Sequence, residues 1–281
     1  MVSIPNMHPY TVGQWLYANL SVQNILATIG VLFLLGNLKA LPGAWHIRVI
    51  KGILTQLHLT PCPSKSTPHI TISNVSKRPY LFAYLKTTTT TIPLECDYNL
   101  HKSNSTFFTD LDVHRTQLLA NVFRRVLSAS FIDKSRRKTQ LYSALGGSCC
   151  MYKREIAPFQ KYGMWSRVLG WDGKWIYLVS FFVRESADEG GGGFPKEEDI
   201  YASCIARYVF KDGRKTVSPI DVLHETGLIP SDEEKDDKKE DGKWSWKQFQ
   251  EERDRGMEMA GLLAGLERLP SRFDPAEAGV L

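Results

Sequence analysis

Apolar residues recur at helical spacing in one central stretch of the chain, between residues 108 and 127. Acidic residues lie near the start of this stretch and Arg124 and Arg125 near its end, which is the charge order that a helix dipole favours. The apolar positions are Phe108, Leu111, Leu118, Leu119, Val122, Phe123, Val126 and Leu127. This pattern predicts one long helix with a continuous apolar face.

The segments on either side of that helix have the composition of β-strands, rich in β-branched and aromatic residues. Asp172-Gly173 is a two-residue sequence typical of a tight hairpin turn. The predicted strands lie within residues 80–96, 142–156, 162–171, 174–184 and 200–211. One long helix and an antiparallel sheet bury their apolar surfaces only if the helix covers a face of the sheet. The predicted class is therefore α+β, a hotdog fold in which the sheet wraps around the helix.

Changes in composition along the chain divide it into five segments. The central domain lies between a proline-containing connector and a densely charged loop, and it is interrupted by four consecutive glycines at 190–193. The predicted segments are an apolar N-terminal segment (1–40), a connector (41–79), the hotdog domain (80–230), a charged loop (231–243) and a C-terminal helix with a tail (244–281).

The N-terminal segment contains no Lys, Arg, Asp or Glu before Lys39. Its most apolar part, residues 25–36, is shorter than the roughly 20 residues that span a bilayer. The segment would span if residues 16–24 were added; otherwise it would lie in the interface or pack as a soluble helix. Membrane attachment is the expectation. Because Lys39, Arg48 and Lys51 follow this apolar part and no Lys or Arg precedes it, the domain is expected to face the cytosol.

Composition narrows the remaining function classes. The chain is 43% hydrophobic with seven Trp, which is enough for a packed core. Its net charge of +5 comes from scattered basic residues, so a nucleic-acid partner is not expected. The five cysteines form no C-x-x-C pair and no Cys/His group with zinc spacing. We therefore expect reduced thiols and no bound metal.

The candidate chemistry lies between residues 95 and 115. Asp97 ends a predicted strand, just before the loop that leads into the long helix. Hydrolysis of a thioester needs a carboxylate that attacks the carbonyl or activates water, together with donors for the oxyanion. The unsatisfied backbone N–H groups at the helix start, around residues 104–106, are such donors. The alternative for Asp97 is a turn or helix-capping role.

This stretch resembles a motif of the 4-hydroxybenzoyl-CoA thioesterase-like hotdog proteins, D-x-x-G-H-V-N-N-x-x-Y followed by an acidic residue and an Arg. The chain departs from it at Leu100, where the motif has Gly, and at Ser103, where it has Asn. The matching positions, with Phe107 in place of Tyr, are Asp97, His101, Asn104, Phe107, Asp112 and Arg115. Residues 167–178 resemble a membrane-tethered subgroup, whose fungal members sit near secondary-metabolite pathways.

The resemblance implies an acyl thioesterase that needs no cofactor and acts on an acyl-CoA or acyl-carrier substrate. Asp97 would be the nucleophile or general base, the Asn104 amide the oxyanion donor, and His101 a residue that shapes the loop. The substrate-binding residues would be Phe107, Asp112 and Arg115. A homodimer is implied, with the thioester at the subunit interface.

Several alternatives stay open at this level. A helical carboxylate, Asp110 or Asp112, would bind water. Asp112 and Arg115 are also spaced for a local ion pair. At the level of the whole protein, the alternatives are a non-catalytic acyl- or lipid-binding protein and a hydratase or dehydratase on the same fold.

Overall fold

The computed structural model describes residues 22–59, 78–127, 141–188, 194–230 and 244–266. The helices in these ranges are α1 (Val22–Gly36), α2 (Ala44–Leu54), α3 (Asn104–Val122), α4 (Pro219–Thr226) and α5 (Trp246–Ala264). The strands are β1 (Leu85–Thr90), β2 (Leu141–Tyr152), β3 (Lys161–Trp171), β4 (Ile176–Arg184), β5 (Ile200–Asp212) and β6 (Lys215–Val217).

The strands form one antiparallel sheet in the order β1-β3-β4-β5-β2, and β6 pairs with β5. The long central helix, α3, packs against one face of this sheet. This architecture confirms the predicted class, α+β with an antiparallel sheet on one long helix. Four of the five strand predictions hold to within a few residues. The first is shorter than predicted because 3₁₀ turns occupy Tyr80–Phe82 and Pro93–Glu95.

The main core lies between α3 and the inner face of the sheet. Leu118 of α3 and Phe123, directly after its end, pack with residues of the three central strands. These are Val168, Leu178 and Phe210, and all five side chains are at most 2% exposed. Burying a side chain of this size contributes about 1.5–3 kcal/mol. The periodic apolar positions in the sequence therefore point into the core, and they fix how α3 lies on the sheet.

The turn between β3 and β4 confirms the hairpin predicted from Asp172-Gly173. The Asp172 N–H donates to the Trp175 carbonyl oxygen at 2.9 Å. The Asp172 carboxylate accepts from the N–H groups of Lys174 (2.8 Å) and Trp175 (2.7 Å). A side chain that hydrogen-bonds its own turn holds the register of the two strands.

The opposite face of the sheet is covered by α5, the helix predicted in the C-terminal segment. Ala260 of α5 packs with Leu169, Tyr177 and Val179. A Cβ added at Gly256 would lie 1.8 Å from the Leu169 carbonyl oxygen, so the close contact between α5 and β3 requires glycine there.

The predicted connector contains a helix, α2, that packs on α3. A Cβ at Gly52 of α2 would lie 2.6 Å from Cγ of Gln117, so glycine allows the two helices to approach closely. Before α2, helix α1 exposes its apolar side chains to solvent. Among the described helices, none is both long enough and apolar enough to cross a membrane. The four glycines at 190–193 and the charged loop at 231–243 lie outside the described residues.

Candidate active site

A short loop, residues 97–101, places the predicted catalytic carboxylate next to the start of α3. The Asp97 N–H donates to the His101 carbonyl oxygen at 2.9 Å, and the Leu100 N–H donates to the Asp97 carbonyl oxygen at 3.1 Å. Cys96 and Lys102 pair as an isolated antiparallel bridge at the base of the loop. The loop is therefore a closed turn with its own backbone hydrogen bonds.

Leu100 occupies the left-handed region of backbone space, with φ of +61°. The thioesterase motif has glycine at this position, and glycine adopts a positive φ without steric cost. A leucine there costs roughly 1–2 kcal/mol. The chain thus keeps the turn that the motif's glycine allows, although the residue itself is replaced.

The Asp97 carboxylate is accessible, with 26% of its side chain exposed. One oxygen, Oδ1, accepts from the Asn99 N–H at 2.9 Å. The other, Oδ2, lies 3.6 Å from Nδ1 of His101, and Nε2 of that ring lies 3.8 Å from Glu155 Oε1. The alternative role of Asp97 as a turn residue is present for one oxygen, because Oδ1 accepts a hydrogen bond from within the turn. Oδ2 still faces His101.

The start of α3 lies directly after this loop, with Ser103 as the N-cap residue. The Ser103 N–H donates to the Glu95 carbonyl oxygen at 2.8 Å, and the Thr106 N–H donates to the Ser103 carbonyl oxygen at 2.9 Å. Helix geometry leaves the N–H groups of Asn104 and Ser105 without an intrahelical acceptor. Of the three donors expected around residues 104–106, Thr106 is therefore engaged, and Asn104 and Ser105 are the candidates for an oxyanion.

Strand β2 approaches the helix start through Tyr152. The Tyr152 hydroxyl donates to the Asn104 carbonyl oxygen at 3.0 Å, and its ring packs edge-on against Phe107 at 5.0 Å between centroids. Phe107 is 2% exposed and also packs edge-on against Phe182 at 4.7 Å. The sequence assigned Phe107 to substrate binding. In this structure its ring forms part of the core below the loop.

The helix-face pair of Asp112 and Arg115 is present as an ion pair, with Arg115 Nη2 2.8 Å from Asp112 Oδ1. The second terminal nitrogen of Arg115 donates to Ser148 Oγ of β2 at 2.8 Å. Arg115 is 1% exposed, whereas 40% of the Asp112 side chain is exposed. The pair ties α3 to β2, and its role in substrate binding stays a prediction.

A buried network of charges lies beneath the loop and is centred on Asp110, whose side chain is fully buried. Asp110 Oδ2 is 2.8 Å from Lys102 Nζ and 3.1 Å from Lys39 Nζ, and it accepts a hydrogen bond from the Tyr162 hydroxyl. Asp110 Oδ1 is 2.6 Å from Arg48 Nη2. Both carboxylate oxygens of Asp110 are therefore occupied by protein groups.

Glu95 is the second carboxylate of this network. It lies 2.9 Å from Lys39 Nζ and 3.4 Å from Lys102 Nζ. Lys39 also donates to the Thr90 carbonyl oxygen at 3.2 Å. Because the backbone of Glu95 holds Ser103, Lys39 connects the N-terminal helices to the loop and to the start of α3.

The network sets the ionisation of its members. Burial alone would raise the pKa of the Asp110 carboxyl, but the charges of Lys102, Lys39 and Arg48 outweigh burial and hold that pKa well below its ordinary value. Burial lowers the pKa of Lys39 despite the nearby carboxylates. Burial and the Asp110 charge raise the pKa of Tyr162. The surrounding cations therefore favour the ionised form of the Asp110 carboxyl.

Sequence reasoning did not find this network, apart from naming Asp110 as a helical carboxylate. Two of its cations, Lys39 and Arg48, come from the predicted anchor and connector, more than 50 residues before the third, Lys102, which directly follows the loop. The one available signal was the pair of opposite charges, Glu95 and Lys102, at the two ends of the loop. Within the residues that the structure describes, no cluster of three or more His, Cys, Asp or Glu is arranged to hold a metal ion.

The chain is similar in sequence to known thioesterases. The model of the Thioesterase-like superfamily matches residues 92–226. The probable thioesterase atnL of Emericella nidulans is 42% identical over 287 aligned residues, which cover 93% of this chain and 92% of that protein. Thioesterase poxG of Penicillium oxalicum is 33% identical and covers 88% of this chain and 86% of its own.

Among solved structures, the probable thioesterase YbaW of Escherichia coli is similar over 50% of this chain and 95% of its own, at 15% identity and a TM-score of 0.40. The sequence relatives are much closer, and they extend over nearly the whole chain. On that identity and coverage, the chain belongs to the thioesterase-like superfamily of hotdog proteins.

Proposed function

We propose that the protein is an acyl thioesterase that hydrolyses an acyl-CoA or a carrier-bound acyl thioester to the free acid, without a metal or bound cofactor. The observation that carries this proposal is the accessible Asp97 carboxylate, in a closed turn that leads into the open N–H groups of α3. Membership of the superfamily supports the same reaction.

The proposed chemistry uses these two features together. Asp97 either attacks the thioester carbonyl, giving an anhydride that water then hydrolyses, or removes a proton from the attacking water. In both routes negative charge develops on the carbonyl oxygen and is stabilised by the N–H groups of Asn104 and Ser105. One preorganised donor of this kind is worth roughly 3 kcal/mol of barrier. Collapse of the intermediate expels the thiolate, which takes up a proton.

His101 is proposed to orient the Asp97 carboxylate, since its ring lies between Asp97 and Glu155. Phe107, Asp112 and Arg115 remain the proposed substrate-binding residues. Phe107 and Arg115 are buried in this single chain, so direct contact with substrate requires that the acyl chain enter between α3 and β2. Tyr152 lies at that boundary.

We propose a homodimer in which a second chain completes the site. Strand β2 supports this proposal, because it is the last strand of the described sheet order and presents a twelve-residue edge next to the start of α3. Unpaired strand edges are sites of strand pairing between chains. Sedimentation equilibrium tests the assembly: a single species of twice the chain mass supports it, and a monomer at assay concentration contradicts it.

Membrane attachment is proposed as surface binding. Helix α1 exposes its apolar residues, and α2 adds Ile47, Ile50 and Leu54 on its exposed side. Exposed apolar patches of this kind mark interaction surfaces. The full-length protein is expected to float with neutral lipid vesicles on a density gradient, and a variant lacking residues 1–38 is expected to stay in the dense fraction. Flotation of both, or of neither, contradicts the assignment.

A cytosolic orientation is also proposed. Of the three cations that suggested it, Lys39 and Arg48 are engaged in the buried network, which leaves Lys51 at the surface. The second argument is Asn104-Ser105-Thr106, an N-glycosylation acceptor at the proposed oxyanion site. Enzymatic removal of glycans from protein made in a eukaryotic host should leave its mobility unchanged. A shift that depends on Asn104 would contradict both the orientation and the site.

The first alternative, a non-catalytic acyl-binding protein, rests on the two departures from the motif, Leu100 and Ser103. Leu100 adopts the conformation that the motif's glycine favours, which supports an intact loop. Mass spectrometry of products from a panel of acyl-CoA and acyl-carrier thioesters separates the functions. Free acid is the expected product. No product indicates a binding protein, and a hydrated or dehydrated thioester indicates the hydratase class.

A biosynthetic role is proposed at the level of substrate class. The relatives include proteins named thioesterase from filamentous fungi. Together with the resemblance to the fungal subgroup, this favours release of a fatty acyl or polyketide chain in secondary-metabolite biosynthesis. Preference for polyketide-like over simple fatty acyl thioesters in the panel would support this role, and a strict preference for short acetyl-type thioesters would contradict it.

A further inference from the structure

Two cysteines face each other across β2 and β5. Cys150 and Cys204 are direct partners in the antiparallel ladder, and their sulfur atoms are 2.6 Å apart. Direct partners in such a ladder have Cα atoms about 4.5–5.5 Å apart. A disulfide joins Cα atoms about 4.4–6.8 Å apart. The backbone of the two strands therefore already has the spacing of a disulfide.

The neighbouring thiol, Cys149, provides an internal comparison. It is opposite Ile205 and so has no cysteine partner in the ladder. Cys149 and Cys150 are both half-buried, and they lie on opposite faces of β2. Cys96, Cys149, Cys150 and Cys204 are all free thiols in this structure.

The two partners have unequal reactivity. The hydrogen bond with Cys204 and the Arg115 charge lower the pKa of the Cys150 thiol, against the opposing effect of burial. Burial raises the pKa of the Cys204 thiol, which is 2% exposed. Since the thiolate is the attacking species, Cys150 is the residue that meets an oxidant first and Cys204 the residue that resolves the product.

We propose that Cys150 and Cys204 form a reversible disulfide site that is oxidised by a low-molecular-weight disulfide such as glutathione disulfide. The Cys150 thiolate attacks one glutathione sulfur and expels the other as a thiolate, which gives a mixed disulfide. Cys204 then gives its proton to the first glutathione thiolate, and its sulfur attacks the Cys150 sulfur and expels the second glutathione as a thiolate. The two protons lost by the cysteines end on the two glutathione thiols, and the electron pair passes to glutathione.

The crosslink lies close to the proposed active site. Cys150 is two residues from Ser148, which binds Arg115, and two residues from Tyr152, which binds the Asn104 carbonyl oxygen. Oxidation therefore fixes β2, the edge strand, to β5 next to the start of α3. The disulfide closes a loop between two residues that are 54 positions apart, which restricts the unfolded chain. We therefore expect the thermal midpoint of unfolding to rise by about 5–10 °C.

The test equilibrates the reduced full-length protein with glutathione buffers of increasing oxidised fraction, alkylates the remaining thiols and maps the peptides by mass spectrometry. We expect a peptide pair joined through Cys150 and Cys204, lost again on reduction, together with the rise in thermal midpoint. The Cys149→Ser variant should behave like the wild type. Absence of the pair at every ratio in folded protein overturns the proposal.

Single variants test the order of attack. Cys204→Ser should accumulate glutathione on Cys150, because the resolving thiol is missing, and Cys150→Ser should form neither crosslink nor adduct at Cys204. If Cys204→Ser does not fold, the wild-type peptide map and the Cys150→Ser variant still test the proposal. A crosslink in the wild type and no adduct at Cys204 in Cys150→Ser support it. Preferential modification of Cys149 or Cys96 over Cys150 also overturns the proposal.

Discussion

Asp97 and Asp110 stand thirteen positions apart in the sequence, on either side of the start of α3, and the structure gives them opposite surroundings. Asp110 is fully buried and its oxygens meet Lys102, Lys39, Arg48 and the Tyr162 hydroxyl. Asp97 is a quarter exposed and has no Lys or Arg partner among the ion pairs of the described residues, with only a distant histidine on Oδ2.

The difference supports the proposal that Asp97, and not Asp110, takes part in the reaction. A carboxylate with several cationic partners is held ionised but has no oxygen left for water or substrate, and moving it leaves buried charges unpaired. A carboxylate at the surface of a closed turn keeps an accessible oxygen. The hypothesis that Asp110 binds water therefore loses support, and we propose a structural role for Asp110 and a catalytic role for Asp97.

The largest expected effect is on the structural side of this comparison. Asp110→Asn removes the charge that faces three cations, and breaking a buried ion pair from one side costs about 3–5 kcal/mol. The free energy of unfolding, measured by denaturant titration, should fall by that amount. Asp254→Asn, an exposed carboxylate on α5, is the control and should change it by less than about 0.5 kcal/mol. Equal losses for both variants would contradict the assignment of Asp110.

Acid should destabilise the protein in two steps. Burial, with the Arg115 charge, lowers the pKa of the fully buried His114 to about 3. Between the unfolded value of about 6.5 and that folded value, the unfolded chain binds a proton that the folded protein does not. The stability that neutral His114 contributes is therefore fully present above about pH 6.5. Below that pH the free energy of unfolding falls by up to about 1.4 kcal/mol per pH unit. Asp110, whose folded pKa is also lowered, adds a second loss below about pH 4.

Denaturant titrations between about pH 6.5 and 4.5 isolate the first step, because Asp110 contributes little there. Over this window the unfolding free energy of the His114→Gln variant should fall less than that of the wild type. The difference should be up to about 1.4 kcal/mol per pH unit, which corresponds to one proton. An identical pH dependence in the two proteins would mean that His114 is not kept neutral by burial.

Lys39 tests the connection between the N-terminal helices and the loop. Lys39→Met leaves Glu95 with one cation and Asp110 with two, and we expect a loss of about 1–3 kcal/mol in unfolding free energy. Lys51→Met, an exposed lysine on α2, is the matched control and should have little effect. If Lys39→Met is as stable as the control, the N-terminal helices are separable from the domain.

The smallest expected effect concerns the turn that carries Asp97. Leu100→Gly removes the cost of a positive φ, although the greater freedom of glycine in the unfolded chain offsets part of this gain. We expect a net stabilisation of about 0.5 kcal/mol by denaturant titration. Leu100→Ala keeps the strained backbone and should give no gain. Equal effects of the two variants would show that the side chain, not the backbone, matters at this position.

The sequence predicted the hotdog class and most strands because these depend on local patterns. The helical periodicity around Leu111 and Leu118 and the turn at Asp172-Gly173 both depend on residues that are close together in the sequence. The site motif is also a local pattern, and the roles inferred from it stay predictions. The network around Asp110 was missed because Lys39, Arg48 and Lys102 meet only after α2 has packed on α3, and charged residues in a predicted anchor and connector give no sign of burial.

The most direct test of the account is the turnover number of Asp97→Asn in full-length protein, on the best thioester of the panel. The amide keeps the size of the side chain but is neither a nucleophile nor a base, so kcat should fall by about 100-fold or more. The unfolding free energy should stay within about 0.5 kcal/mol of the wild type. A folded Asp97→Asn protein that keeps more than about a third of the wild-type kcat would contradict the assignment of Asp97 to the reaction.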